Sequence, residues 1–506
     1  MTGNVGGAPV GGRSPLGRNL AALTSGQLVT WIVTVIWTLI VPRILGPAQM
    51  GELVMGWSVS AVLGVVLGLG TRNFLVRAIV AEPERGPSLL GTAAVLRLCF
   101  VPLFAVVAVT YAHVAGLSPD SRDVLYLASG ATVFLLLAEP WQAAFQAKER
   151  MHYLALSDVV SKSAQGLVGV ALALLGLRAV GLTGCWMVSC AGVVLLDAYW
   201  IRRMVPISFR TSWTEMRSLF RDSLPYYAFG TVYTVYLWID SAMLALLAPE
   251  RVVGWYGVPT KLFTTLMFLP VIVTTAWFPR MVAAFERGSE HLRRAATTPV
   301  ELVLVLGMPV CIATAILADP VIHLLYGPQY APSVPVMRIL ALVIPFMYVG
   351  VVLNQISVAA KRPLTWTWIM AAAAVLNPIL NLILIRKYQA SAHNGAIGAA
   401  LSLLLTELVV VVLGIVVTRR RVHYRLSLRR VAGSAVAASG MWAAMYACAP
   451  TGLLAEGAAG AGTYALLAIV FRAVPLHVVR AQTHIAWKWA RSTWRRGPVT
   501  MGLDTQ

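Results

Sequence analysis

Charge is what this sequence has little of. Only 12% of its 506 residues are Asp, Glu, Lys or Arg, against about 25% in a typical soluble domain, and just 20 are acidic. A soluble fold of that length would have too few charges to cover its surface. Cysteines are few and odd in number, and Cys99, Cys185, Cys190, Cys311 and Cys448 all fall in long apolar runs. That excludes a disulfide framework or a thiolate metal cluster and makes them small packing residues. The strings HExxH, GxSxG, a P-loop and a GxGxxG in suitable context are missing, and the eight histidines are scattered. The residues therefore predict neither an enzyme nor a bound cofactor or metal. Sustained period-2 alternation is absent too, which excludes a membrane β-barrel.

Long apolar runs take the place of charge, with 58% hydrophobic residues and a mean hydropathy of +0.75. Crossing a hydrocarbon core of about 30 Å takes about 20 helical residues. Runs of that kind recur at 20–42, 53–71, 89–115, 124–145, 157–177, 180–200, 223–247, 257–279, 301–322, 334–358, 364–385, 395–417, 430–449 and 452–471. The expected fold is therefore all-α, a polytopic membrane protein of about fourteen transmembrane helices.

The net charge of +20 would suggest nucleic acid in a soluble protein, but the placement of the basic residues argues against that partner. Alternating loops collect thirty of the forty Lys and Arg on one side and six on the other, leaving only Arg97, Lys162, Lys261 and Arg338 inside spans. By the positive-inside rule the crowded side is cytoplasmic, and both termini lie there. Residues 1–17, rich in Gly, Pro and Ser, read as a disordered tail and not a signal peptide.

An internal repeat of about 200 residues organises the spans. The loop LGPAQMGELVMGWS after the first span matches LAPERVVGWYGVPT after the seventh, setting Pro47 against Pro249 and Gly51 against Gly254. WQAAFQAKERMHY resembles LNQISVAAKRPLT, and GLTG at Gly181 resembles GAIG at Gly395. Six helices cross an even number of times, so two copies are related by an axis along the membrane normal, a parallel repeat. The expected organisation is an N-lobe at 18–201, an amphipathic cytoplasmic linker at 202–222, a C-lobe at 223–418 and an appended helix pair at 419–472. A basic, tryptophan-rich amphipathic tail follows at 473–506, suited to anionic lipids and, as an alternative, to docking a partner.

PRILGPAQMG after the first span, LPYYAFGTVYTVYLWIDSAML running into VVGWYGVPTKL, HLLYGPQYAPSVPVMRILAL, and NPILNLILI followed by GAIGAALS resemble the polysaccharide flippases of the multidrug/oligosaccharidyl-lipid/polysaccharide exporter superfamily. The resemblance covers roughly residues 18 to 420. It implies a transporter in the cytoplasmic membrane of a bacterium, serving cell-surface polysaccharide biosynthesis beside polysaccharide assembly proteins. Two six-helix bundles would move a polyprenyl-(pyro)phosphate-linked oligosaccharide between leaflets by alternating access. A drug or metabolite exporter of the same superfamily, or a non-transport membrane enzyme or scaffold, stays open. Outer loops of about five to twelve residues disfavour the last, because catalytic carboxylates would need a larger platform.

Ionisable residues inside spans cost about 2.5–3.5 kcal/mol each at a helix centre, so they face water or a partner. Arg97, about eight residues into its span, is about 12 Å deep. Lys261, Arg338 and Lys162 lie nearer their span ends, within snorkelling reach. These four are the candidate cavity cations for a pyrophosphate; the alternatives are pairing with Glu139, Asp158, Asp197 or Asp240, or snorkelling. Asp240, Glu407 and Glu139 are candidate coupling acids or ion-pair partners. Asn354, Gln355, Asn377 and Asn381 are read first as helix-bridging polar groups.

Overall fold

The structure is a computed structural model describing residues 15–422 and 427–473. The expected C-terminal surface helix, and most of the expected N-terminal tail, lie outside those residues. In chain order come α1 (Pro15–Leu63), α2 (Val65–Gly68), α3 (Thr71–Ala81), α4 (Gly86–Val114), α5 (Pro119–Ala147), α6 (Met151–Ser163) and α7 (Gly169–Leu174). Next are α8 (Ala179–Arg202), α9 (Trp213–Leu247), α10 (Glu250–Leu266), α11 (Phe268–Glu286), α12 (Ser289–Ile316) and α13 (Ala318–Tyr326). The last are α14 (Ser333–Ala359), α15 (Pro363–Ala392), α16 (Gly395–Val422), α17 (Leu428–Cys448) and α18 (Leu453–Val470). Large apolar side chains such as Val106, Val114, Leu195, Trp368 and Leu454 stand exposed along them. An apolar exterior is what lipid requires and water penalises, and the chain is a multi-pass membrane protein.

Among the described residues, twelve helices are long and apolar enough to cross a membrane, against about fourteen expected. Two places account for the difference. The expected spans 20–42 and 53–71 share the continuous run of α1, which is non-helical only at Gly46 (φ 73°, ψ 172°). Trp37 and Trp57 sit similar distances either side of Gly46 and their rings touch at 5.4 Å, so α1 is a hairpin of two limbs. The expected span 157–177 contains a π-helical turn at Ala164–Val168, leaving α6 and α7 each too short. There Gly166 and Gly169 press on Val33 and Trp37 of α1.

The described residues form two compact units. One holds residues up to Leu262 with Val321–Val336 and Met370–Thr406; the other holds Phe263–Pro320, Met337–Ile369 and residues from Glu407 onward. In the first, the second limb of α1 crosses α10 at two glycines. A Cβ on Gly51 would fall 1.7 Å from the Glu250 carbonyl oxygen, and one on Gly254 would fall 1.9 Å from that of Pro47. Carbon and oxygen normally approach to about 3.3 Å, so no residue with a side chain fits either position. The contact is reciprocal: what Gly51 does to residue 250, Gly254 does to residue 47. Such a pattern is produced by a local twofold axis, and it joins the two segments that the internal repeat pairs in sequence. Arg43, Asp120, Arg178, Glu250 and Arg251 surround this level, with Asp120 and Arg178 paired at 3.0 Å, which marks it as a membrane–water boundary.

In the same unit, α9 begins at Ser212, whose hydroxyl accepts from the Glu215 N–H while the Glu215 carboxylate accepts from the Ser212 N–H. This capping box satisfies two donors at the start of the helix. Residues 213–222 thus run into the following span as one helix, with Met216, Leu219 and Phe220 packed against Leu75, Leu90, Trp141 and Phe145 and Arg217 and Arg221 exposed. In the second unit, α17 and α18 dock on α12. Ala437, Met441 and Met445 pack with Val305, Met308 and Ile312, and the Tyr464 hydroxyl donates to the Val305 carbonyl at 2.6 Å. Buried Glu301 accepts from the Ser427 N–H at 3.0 Å and pairs with Arg430.

Candidate functional site

Arg97 is the deepest cation predicted from sequence, and the structure closes it off. Between α2 and α3 the chain takes a left-handed step at Leu69 (φ 49°) and Gly70 (φ 61°). A Cβ on Gly70 would lie 2.2 Å from the Tyr227 nitrogen, so only glycine lets α9 pass there. The step frees the Gly68 carbonyl, which inside a membrane needs another donor. Arg97 supplies it: Nη2 donates to Gly68 at 3.3 Å, to the Thr71 hydroxyl at 2.8 Å and to Glu139 at 2.5 Å. Its side chain is 1% exposed, that of Glu139 26%. A guanidinium at the carbonyl end of α2 also meets the negative end of that helix dipole. Here Arg97 pairs with one of the acids named as an alternative partner and seals a helix break. Its Nε and Nη1 atoms are buried without a hydrogen-bond partner.

Lys261 is deeper than its sequence suggested. The expected span began at residue 257, but α10 begins at Glu250, because charged residues at the boundary end a hydropathy run without ending a helix. Eleven residues at 1.5 Å set Lys261 about 16 Å from the charged start of the helix at Glu250, near the middle of a 30 Å core. Its ammonium lies over the Trp57 ring, 4.9 Å from the centroid. Trp57 meets Trp37 at 5.4 Å and stands edge-on to Trp186 at 6.3 Å. Lys162, exposed on α6, is within electrostatic reach of Lys261 and of Asp158, which Arg72 also reaches. The structure therefore brings Lys261 and Lys162 together. Arg338, on α14, is exposed in the second unit.

Of the acids, Asp240 is built into a buried network: it accepts from Asn381 Nδ2 at 2.7 Å, and Asn381 Nδ2 also donates to Asn377 Oδ1 at 2.8 Å. Asn377 Nδ2 reaches the Thr406 hydroxyl at 3.4 Å, and the Tyr256 hydroxyl meets Asp240. Two asparagines read as helix bridges thus converge on the one acid of α9 inside the membrane. Glu407 is buried in the second unit, with a carboxylate oxygen 3.9 Å from where a Gly350 Cβ would stand. Asp197, another alternative partner for the cations, is instead held by Ser157 and by Gln142 at 3.2 Å. Sequence reasoning missed the tryptophan trio, whose members have no periodic spacing, and Glu52, buried at the glycine crossing. It also missed Glu250, which accepts from the Ser121 hydroxyl at 3.1 Å.

Comparison with known proteins gives this arrangement a context. The family model described as polysaccharide biosynthesis protein matches residues 16–285, and the MatE model matches 225–383. A curated relative, the probable low-salt glycan biosynthesis flippase Agl15 of Haloferax volcanii, is 22% identical over 372 residues, covering 71% of this chain and 74% of its own. Among solved structures, the lipid II flippase MurJ in an inward closed conformation superposes with a TM-score of 0.73 at 13% identity, covering 90% of this chain and 99% of its own. An inward-facing multidrug resistance MATE family transporter of the MOP superfamily gives 0.62 at 15% identity over 80% of this chain and 98% of its own. At such identities the likeness is one of fold, the two-lobe all-helical arrangement of these transporters. With one family model spanning more than half its length, this chain belongs to the polysaccharide biosynthesis family, the flippases of the multidrug/oligosaccharidyl-lipid/polysaccharide exporter superfamily.

Proposed function

We propose that this protein moves a polyprenyl-(pyro)phosphate-linked oligosaccharide from the cytoplasmic to the outer leaflet of a bacterial cytoplasmic membrane, as a transporter and not an enzyme. The observation that carries this reading is Lys261, near mid-membrane over the Trp57 ring, with Lys162 close enough for the two charges to interact. Two like charges in a low-dielectric setting repel, and an anionic group between them relieves that repulsion. A phosphate or pyrophosphate on a lipid carrier is an anion that must cross this region. Arg338, within its own unit, is assigned as a further phosphate-binding cation, and Arg97 to holding the helix break between α2 and α3.

In this scheme the repeats at 18–201 and 223–418 are the moving lobes, the 202–222 segment joins them on the cytoplasmic side, and both termini are cytoplasmic. Asp240 and Glu407 are the coupling acids, while Glu139 serves as the partner of Arg97. The basic tail at 473–506 rests on anionic lipid and is available to polysaccharide assembly proteins. Deleting the protein tests the reading. It predicts that lipid-linked oligosaccharide accumulates on the cytoplasmic leaflet and that surface glycan is lost. Intact glycan together with sensitivity to organic cations would instead support the drug-export reading.

A further inference from the structure

Trp37, Trp57 and Trp186 come from three places far apart in sequence and meet beside Lys261. Counted along the two limbs of α1, Trp37 and Trp57 lie about 14 Å and about 16 Å from the corner at Gly46, at the level of Lys261. Trp186 reaches them from α8, whose first N–H, at Ala179, is bound by Gln49 beside that corner at 3.3 Å. Trp57, Trp186 and Lys261 are half-buried, whereas Trp37 is 8% exposed and backs the group. An apolar core at this depth would be served by Leu or Val. Three indoles and an ammonium are a different chemistry.

We propose that this cluster is a glycolipid subsite, in which Lys261 binds the phosphate nearest the sugar and Trp57, with Trp186 beside it, stacks the first sugar ring. An indole face is electron-rich, and the axial C–H bonds of a pyranose carry slight positive charge, so the two stack face to face. The ammonium of Lys261 occupies that same electron-rich face of Trp57 through a cation–π contact. A phosphate outcompetes the ring for the ammonium because it offers full charge and hydrogen bonds. Drawing Lys261 onto the phosphate thus uncovers the Trp57 face as the attached sugar arrives. The site reads the junction between phosphate and sugar, a feature shared by lipid-linked glycans of differing sequence. Trp37, tilted 51° to Trp57 and pressed by Gly169, is a positioning residue that fixes the Trp57 plane.

This inference rests on the proposed function, and the test separates the two. Purified full-length protein in lipid nanodiscs is titrated with farnesyl diphosphate and with farnesyl-diphosphate-linked N-acetylglucosamine. The wild type should prefer the sugar-bearing probe by on the order of tenfold, the worth of one good aromatic stack. Trp57→Leu should erase the preference without lowering the affinity for farnesyl diphosphate, since the phosphate no longer competes with the ring for Lys261, and Trp57→Phe should retain part of the preference. Lys261→Gln should weaken both probes. Equal preference in wild type and Trp57→Leu overturns the sugar subsite, as does a parallel loss of both probes in Trp57→Phe with an unchanged melting temperature. Failure of the wild type to bind either probe overturns the proposed function itself.

Discussion

The glycine crossing gives the sharpest mechanical prediction. At Gly51 an added methyl group would fall 1.7 Å from the Glu250 oxygen, and at Gly254 1.9 Å from that of Pro47. Both obstacles are backbone, so no side chain can rotate away, and the helices must part by about 1.5 Å to restore a normal carbon–oxygen contact. Overpacking of this kind costs about 1–3 kcal/mol. The rigid obstacle puts each alanine near 3 kcal/mol, or about 150-fold in any equilibrium that opens the crossing. Because one separation relieves both clashes, Gly51→Ala and Gly254→Ala should be strongly non-additive, the double variant costing little more than either alone. The assay is thiol labelling of Gln49→Cys on a cysteine-free background, read beside thermal unfolding. Both alanine variants should label faster, with coupling approaching about 3 kcal/mol in the double variant. Additive costs, or labelling as slow as in the parent, would refute the reciprocal contact.

Arg97→Ala should destabilise the protein by about 3 kcal/mol, the lower end for breaking a buried pair because Glu139 keeps some access to water. Glu139→Gln on that background should recover part of the loss, as thermal unfolding in nanodiscs would show. At the α17–α12 junction the order of effects is fixed by exposure. Arg430→Ala, which strands a carboxylate 1% exposed, should cost more than Glu301→Ala, which leaves an arginine able to reach water, and the difference should appear as faster proteolysis between α16 and α17. At the start of α9, the Ser212 N–H and hydroxyl hold the Glu215 carboxyl below its usual range. A carboxyl depressed by folding stabilises above its unfolded pKa and loses that contribution as pH falls through the folded value. Amide exchange at residues 213–216 should therefore accelerate at acid pH relative to base-corrected rates, and Glu215→Gln should remove that dependence.

Hydropathy and charge placement made the class and most spans legible, because lipid imposes those patterns on each segment separately. The pairing of Pro47–Gly51 with Pro249–Gly254 was legible as a motif. Its meaning as a contact was not, since no rule of local sequence says that repeated loops touch. The intramembrane charges were easy to find and hard to assign. Arg97 and Glu139 lie 42 residues apart, and Asp240 and Asn381 lie 141 apart; only the fold says which acid each donor meets. Hydropathy sets Lys261 too shallow because Glu250 and Arg251 lower the average over a turn that is nonetheless helical. The 157–177 segment misled for the opposite reason: its composition suits a span, but close packing of Gly166 and Gly169 on α1 goes with a π turn that composition does not record.

If Lys261 and Lys162 carry a phosphate-linked glycan across the bilayer, transport must depend on both side chains. Reconstituted proteoliposomes loaded with a prenyl-diphosphate-linked oligosaccharide, probed by an external lectin, measure that directly. Wild-type vesicles should expose the remaining inner-leaflet glycan with time, while a folded Lys261→Gln/Lys162→Gln variant with unchanged melting temperature should expose it at least tenfold more slowly. Equal rates for the two, or wild-type rates no faster than protein-free vesicles, would contradict that role for the lysines.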